Sequence, residues 1–255
     1  MHGQPAMFLI DTGASMHVLA SWFVAAAKID SKSSAGTARG STGSETSLRV
    51  VKQLDGKFEN GARLQLAETI VVEFPPIFAE LKIAGLLSPQ LLAPTGQAAV
   101  LDFRVPTLNF EEFETAIDRV GAQSLPDARV CIDKESEFKN RSYAIPITAL
   151  GAKALVIVDS GATGTFIAAE TQIARALESQ ALEGNRTQGV GGAVDENRHV
   201  PGVEILRGEV PVIVDLVIGK SPGPSCGPDG LLGMDALRQC LLVLGETGFG
   251  MTCSR

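Results

Sequence analysis

Hydrophobic positions along the chain come in short runs that end on turn residues. AMFLI, Ala6 to Ile10, runs into Asp11-Thr12-Gly13, and ALVIV, Ala154 to Val158, runs into Asp159-Ser160-Gly161. Short apolar runs rich in β-branched residues and closed by Asp, Ser and Gly are the pattern of buried strands leading into tight turns. ILRGEVPVIVDLVIG, Ile205 to Gly219, has the same enrichment. Helical spacing occurs in SWFVAAAKI (Ser21 to Ile29), EEFETAIDRV (Glu111 to Val120) and AAETQIARALES (Ala168 to Ser179). The pattern predicts a mainly β chain with few short helices.

The pattern also repeats. AMFLIDTGASMHVLA aligns without a gap on ALVIVDSGATGTFIA, an offset of 148 residues from Asp11 to Asp159. GLLSPQLL aligns with GLLGMDAL at an offset of 145, from Gly85 to Gly230. ARGSTG, from Ala38, can be laid on TQGVGG, from Thr187, at an offset of 149. Three matches in one order and at nearly one offset predict a duplicated unit of roughly 100 residues. The expected organisation is a first unit over residues 1–108, a linker with a short helix over 109–141, and a second unit over 142–255. The second unit opens with a hairpin, Tyr143 to Gly161, turning at Leu150 to Lys153. In the first unit that turn maps onto His2 to Pro5, so the first unit is expected to lack one strand of its sheet.

Length and charge narrow the picture. A chain of 255 residues holds one large domain or two small ones, and buries roughly 70–75% of its unfolded surface. The net charge of −7 argues against a nucleic-acid or anionic-membrane partner. No apolar run approaches the ~20 residues of a membrane span. The start, MHGQPAMFLID, lacks a charged region followed by an apolar one, so no signal peptide is expected in it. His2, His17 and His199 have no ligand spacing, and neither a metal site nor a cofactor is expected.

The four cysteines form no C-x-x-C pair. CLLVLGETGFGMTC reads as a closing hairpin. With its turn at Glu246-Thr247, Cys240 falls opposite Cys253, near the spacing a disulfide needs. A turn at Thr247-Gly248 would separate them. A bond there implies an oxidising compartment, secreted or periplasmic. Cys131 and Cys226 read equally as a pair or as buried thiols.

Two copies of D-[ST]-G, each after an apolar strand and each followed by a Gly-Leu-Leu segment, resemble the aspartic protease superfamily. The likeness is to its retroviral-type, retropepsin-like branch. It is carried by Ala14 and Ala162 directly after the glycines, by the small unit, and by Leu231-Leu232-Gly233. The resemblance implies two similar β-barrel lobes related by a pseudo-twofold axis. One chain would supply both, as pepsin does, so no homodimer is required. It makes Asp11 and Asp159 a catalytic dyad on the floor of a cleft between the lobes. Two carboxylates about 3 Å apart share one proton. The ionised one acts as general base on a water, and the protonated one donates to the scissile carbonyl oxygen. Thr12 and Ser160 would bond across to the opposite loop, and Gly13 and Gly161 would let backbone approach the carboxylates.

Two flaps would close over a bound peptide, at Arg39–Gly43 and Gly189–Gly192, with Arg39, Gly40, Ser41, Gly189, Val190 and Gly191 as candidate contacts. Two features depart from the family. The single tyrosine, Tyr143, lies outside both flaps, and Ser88-Pro89 stands where the second unit has Gly233-Met234. The function implied is an aspartic endopeptidase acting on a peptide or protein substrate. The alternative is a non-catalytic peptide- or protein-binding module on the same fold. An unrelated β-rich binder with chance D-[ST]-G turns would not explain the repeat.

Overall fold

In the computed structural model, Met7–Ile10 forms a strand that alternates exposed and half-buried residues, whereas its neighbour Ile83–Leu87 and the next strand, His17–Ala20, are buried on both faces. The structure describes every residue except 2, 40–44, 122, 126, 133–140, 189–193, 208–209, 221–225 and 255. The chain divides into two units. The smaller comprises Met1–Ile10, Met16–Ser88 and Arg186–Asp195, and the larger comprises Asp11–Ser15, Pro89–Asn185 and Glu196–Arg255.

The smaller unit contains β1 (Met7–Ile10), β2 (His17–Ala20), α1 (Ser21–Ala26), β3 (Lys32–Arg39), β4 (Glu45–Val51), β5 (Leu54–Lys57), β6 (Arg63–Leu66), β7 (Thr69–Val72), α2 (Pro76–Glu80) and β8 (Ile83–Leu87). Its main sheet has the order β1-β8-β2-β7-β4-β3, and β5 and β6 form a separate hairpin. The β-branched and leucine-rich runs HVLA, TIVV and IAGLL are the buried centre of this sheet. Gly85 lets β8 cross close to β2, since a Cβ there would lie 1.9 Å from the Val18 carbonyl oxygen.

The larger unit contains α3 (Pro89–Leu92), β9 (Gln97–Asp102), β10 (Thr107–Glu112), α4 (Phe113–Val120), β11 (Gln123–Ser124), β12 (Arg129–Ile132), β13 (Arg141–Ala149), β14 (Ala152–Val158), β15 (Phe166–Ala168) and α5 (Gln172–Leu177). It continues through β16 (Leu182–Gln188), β17 (Val194–Arg207), β18 (Val210–Gly219), β19 (Gly230–Leu232), α6 (Met234–Leu237), β20 (Cys240–Leu244) and β21 (Phe249–Cys253). One sheet runs β12-β13-β14-β19-β15-β18-β17-β16, and a second runs β10-β9-β20-β21-β11. On the second sheet α4 lays Phe113, Ile117 and Val120 over Ala98, Val100, Leu241 and Val243. The molecule is thus mainly β with few short helices. Among the described residues no helix is long and apolar enough to cross a membrane.

The strand order recurs. β1 runs parallel to β8, β8 antiparallel to β2, β2 parallel to β7, and β7 antiparallel to β4. In the same sequence of senses, β14 pairs with β19, β19 with β15, β15 with β18, and β18 with β17. Even the close crossing recurs, with Gly230 2.0 Å from the Phe166 carbonyl oxygen by the same measure. One neighbour differs. β14 has β13 on its other side, whereas β1 ends its sheet, with β8 as its one partner among the described residues.

The helical stretches are shorter than their spacing predicts. Of Ser21–Ile29 only Ser21–Ala26 is helical, and Lys28 turns left-handed at φ 52°. Glu111 and Glu112 belong to β10, and the Glu112 carboxylate caps α4 by accepting the N–H groups of Glu114 and Thr115. Ala168 still belongs to β15, and Thr171 caps α5. The polar run from Gly121 to Arg141, read from the sequence as linker, supplies β11 and β12, which pair with β21 and β13. Cys131 on β12 is bonded to Cys226, and Cys240 to Cys253 across the β20–β21 ladder. The ladder sets Cys240 directly opposite Cys253, the register of a turn centred on Glu246-Thr247.

Candidate active site

Asp11 follows directly from β1, and Asp159 from β14. Each aspartate folds its loop back on itself. Asp11 Oδ1 accepts the N–H groups of Gly13 and Ala14, both at 2.9 Å. Asp159 Oδ1 accepts those of Gly161 at 2.9 Å and Ala162 at 3.1 Å. A short acidic side chain two residues before a glycine does this readily. The loop 11–15 lies in the larger unit together with the Asp159 loop.

The two loops grip each other. The Thr12 hydroxyl donates to the Val158 carbonyl at 2.7 Å and accepts the Ser160 N–H at 3.0 Å. The Thr12 N–H donates to Ser160 Oγ at 3.1 Å. The carboxyl groups of Asp11 and Asp159 are hydrogen-bonded to each other. The glycines leave the room for this. A Cβ on Gly13 would lie 2.5 Å from Asp159 Cγ, and one on Gly161 would lie 2.5 Å from Asp11 Cγ.

Burial raises both carboxyls. Asp159 goes well above its ordinary value, pushed first by desolvation and then by the Asp11 charge. Asp11 is raised by desolvation, against which its hydrogen bonds to Asp159 and to the loop N–H groups pull. Two acids this close hold one proton between them at the pH where each alone would be ionised.

Further polar residues, to which the sequence reading gave no site role, form hydrogen bonds of their own within each unit. Asp235 on α6 accepts the Thr165 hydroxyl at 2.7 Å and the Thr165 N–H at 3.0 Å, and Thr165 Oγ1 takes the Gly233 N–H at 3.3 Å. By the offset of the repeat, His17 stands for Thr165, Ser88 for Gly233 and Gln90 for Asp235. In the smaller unit His17 Nδ1 accepts the Ser88 N–H at 3.2 Å, the same bond made by a different side chain. Burial lowers His17 to about 4, so it stays neutral and able to accept. Gln90 in the larger unit donates through Nε2 to the carbonyls of Thr12, Ala14 and Arg141 at 3.3, 3.1 and 2.9 Å. The signal was present: these polar residues sit inside apolar stretches at matching positions of the two repeats.

Ser88-Pro89 fits its place. Pro89 opens α3, where a missing N–H costs no helical bond. Gly233 has no such latitude, because a Cβ there would lie 2.3 Å from the Gly164 carbonyl oxygen. Tyr143 is buried in β13, donates to the Gly245 carbonyl at 2.8 Å, and is pushed up to about 12 by burial. Arg39 ends β3, while Gly40, Ser41, Gly189, Val190 and Gly191 lie outside the described residues.

Residues 1–88 match the model of a family described as aspartyl protease. Over that span, which holds the Asp11 loop and the six-stranded sheet, the chain is similar to that family and has a protease-like fold. The Asp159 loop lies beyond the matched residues. Comparison with the curated proteins finds no match.

Proposed function

We infer that the protein is an aspartic endopeptidase, with Asp11 and Asp159 as its catalytic pair. The observation that carries this reading is the direct hydrogen bond between the two carboxyl groups, each also held by two backbone N–H groups. The family match over residues 1–88 supports it. In this reading the ionised carboxylate takes a proton from a water as its oxygen adds to the scissile carbonyl carbon. The protonated carboxyl gives its proton to the carbonyl oxygen. The carboxyl that gained a proton then passes it to the leaving nitrogen, the other carboxylate takes a proton back from a hydroxyl of the tetrahedral intermediate as the carbonyl reforms and the C–N bond breaks, and the pair returns to its single shared proton. Water is the nucleophile, so no covalent intermediate forms. One chain supplies both aspartates.

The test is incubation with a peptide library from about pH 3 to 7, with and without pepstatin. Cleavage should occur, be blocked by pepstatin, and disappear in Asp11→Asn and in Asp159→Asn while both variants remain folded. Parent-like cleavage by either single variant overturns the reading. Peptide binding without cleavage by the parent assigns the chain to non-catalytic binding modules.

A further inference from the structure

The two aspartate loops are braced by opposite chemistry. Beneath the Asp159 loop the repeat places Asp235, whose carboxylate accepts two bonds from Thr165. At the matching position beneath the Asp11 loop stands Gln90, which donates. Gln90 is 4% exposed, and its Oε1 has no partner among the described residues, so the side chain is oriented by what it gives rather than by what it receives.

One of its acceptors is the Thr12 carbonyl. That oxygen belongs to the same peptide group as the Gly13 N–H, which donates to Asp11 Oδ1. The result is a chain of two bonds through one peptide, from the Gln90 amide to the Thr12 carbonyl and from the Gly13 N–H to the Asp11 carboxylate. A peptide that accepts at oxygen becomes a stronger donor at nitrogen. A stronger donor favours the ionised carboxylate it serves. Asp235, as a carboxylate, has no proton to give a carbonyl of the other loop.

We propose that Gln90 is a positioning residue that fixes the charge of the dyad on Asp11 and the shared proton on Asp159. Asp11 is then the group that takes the proton from water, and Asp159 the group that donates to the carbonyl oxygen. The kinetic consequence rests on the endopeptidase reading; the location of the charge does not. Among the described residues, the charged or titratable groups on the segments that hold the two loops include Asp159 itself, His17 on β2, Lys153 on β14, Asp235 on α6, and Arg141 at the head of β13, whose carbonyl also accepts from Gln90.

The test follows carboxyl ¹³C signals of labelled aspartate through a pH titration. In the parent, Asp11 should ionise at lower pH than Asp159. In Gln90→Met, which keeps the length of the side chain and gives no proton, the Asp11 midpoint should rise by about half a unit. Gln90→Glu, which reverses the polarity, should raise it further. The acid limb of the cleavage profile should move by the same amount at unchanged KM. Asp159 ionising first in the parent overturns the proposal, and so does a folded Gln90→Met with the parent's Asp11 midpoint. Should neither variant fold, the order of ionisation in the parent decides. A parent that cleaves no peptide removes the endopeptidase reading, and the titration still decides where the charge lies.

Discussion

Thr12 and Ser160 exchange hydrogen bonds in both directions. The Ser160 N–H reaches Thr12 Oγ1 at 3.0 Å, and the Thr12 N–H reaches Ser160 Oγ at 3.1 Å. Thr12 is wholly buried and spends its own proton on the Val158 carbonyl. Thr12→Val keeps the shape and removes the oxygen, leaving the Ser160 N–H and the Val158 carbonyl without it. The expected loss is about 2–4 kcal/mol of stability, read from denaturant melts. Thr12→Ser keeps the oxygen and should lose less than half as much. Equal losses in the two variants would mean that the methyl, not the hydroxyl, matters.

Strands were legible because apolar runs ending on D-[ST]-G announce themselves, and the repeat located both loops. Partners were less legible. Nothing in QAAVLD says that Gln97–Asp102 pairs with the C-terminal strand β20, because a short apolar run does not encode its neighbour. His17 and Gln90 were hidden for a different reason. A lone polar residue in an apolar stretch looks like an exposed position, and only the contact shows that its hydrogen bond replaces one made by Thr165, or reverses the polarity of Asp235.

Asp159 should make the protein prefer acid. Its carboxyl is raised well above 3.8 on folding, so the folded state holds that proton more tightly than the unfolded chain. The resulting stability is full below the unfolded value and is lost as pH rises through the folded one. Asp159→Asn carries no charge to bury. Its melting temperature should therefore fall less than the parent's as pH climbs above about 4. Parallel curves for the two proteins would speak against a coupled pair.

His17 should act in the other direction. Burial lowers it from 6.5 to about 4, so the unfolded chain binds the proton first as pH falls. Its stability contribution is full above 6.5 and is lost on the way down to about 4, a total near 3 kcal/mol. His17→Asn keeps an acceptor for the Ser88 N–H and does not titrate. Denaturant melts at about pH 7 and 4.5 should show the variant losing about 2–3 kcal/mol less than the parent. An equal loss would mean that His17 is not the buried neutral acceptor.

The two disulfides should differ in weight. Cys131 and Cys226 are 95 residues apart, Cys240 and Cys253 only 13. By loop closure the longer bridge restrains the unfolded chain more, by about 1–2 kcal/mol. Melts of Cys131→Ala/Cys226→Ala and of Cys240→Ala/Cys253→Ala should rank in that order. Free thiols in the non-reduced parent, found by mass spectrometry, would remove the premise.

The five residues Asp11–Ser15 are flanked on both sides by chain of the smaller unit, yet they belong to the larger one. Among the described residues, the hydrogen-bond partners of Asp11 and Thr12 outside their own loop include Val158, Asp159, Ser160, Gly161 and Gln90, all on the C-terminal side of Ser88. A gene cut between the repeats would leave the first aspartate on a fragment that keeps Gln90 but lacks Val158, Asp159 and Ser160. The two copies are therefore bound to a common inheritance. Around the clasp they have been free to diverge, with His17 against Thr165, Ser88 against Gly233 and Gln90 against Asp235. Within it, the acid, the hydroxyl and the glycine stand in both, because a change in one copy must be met by the very atoms of the other.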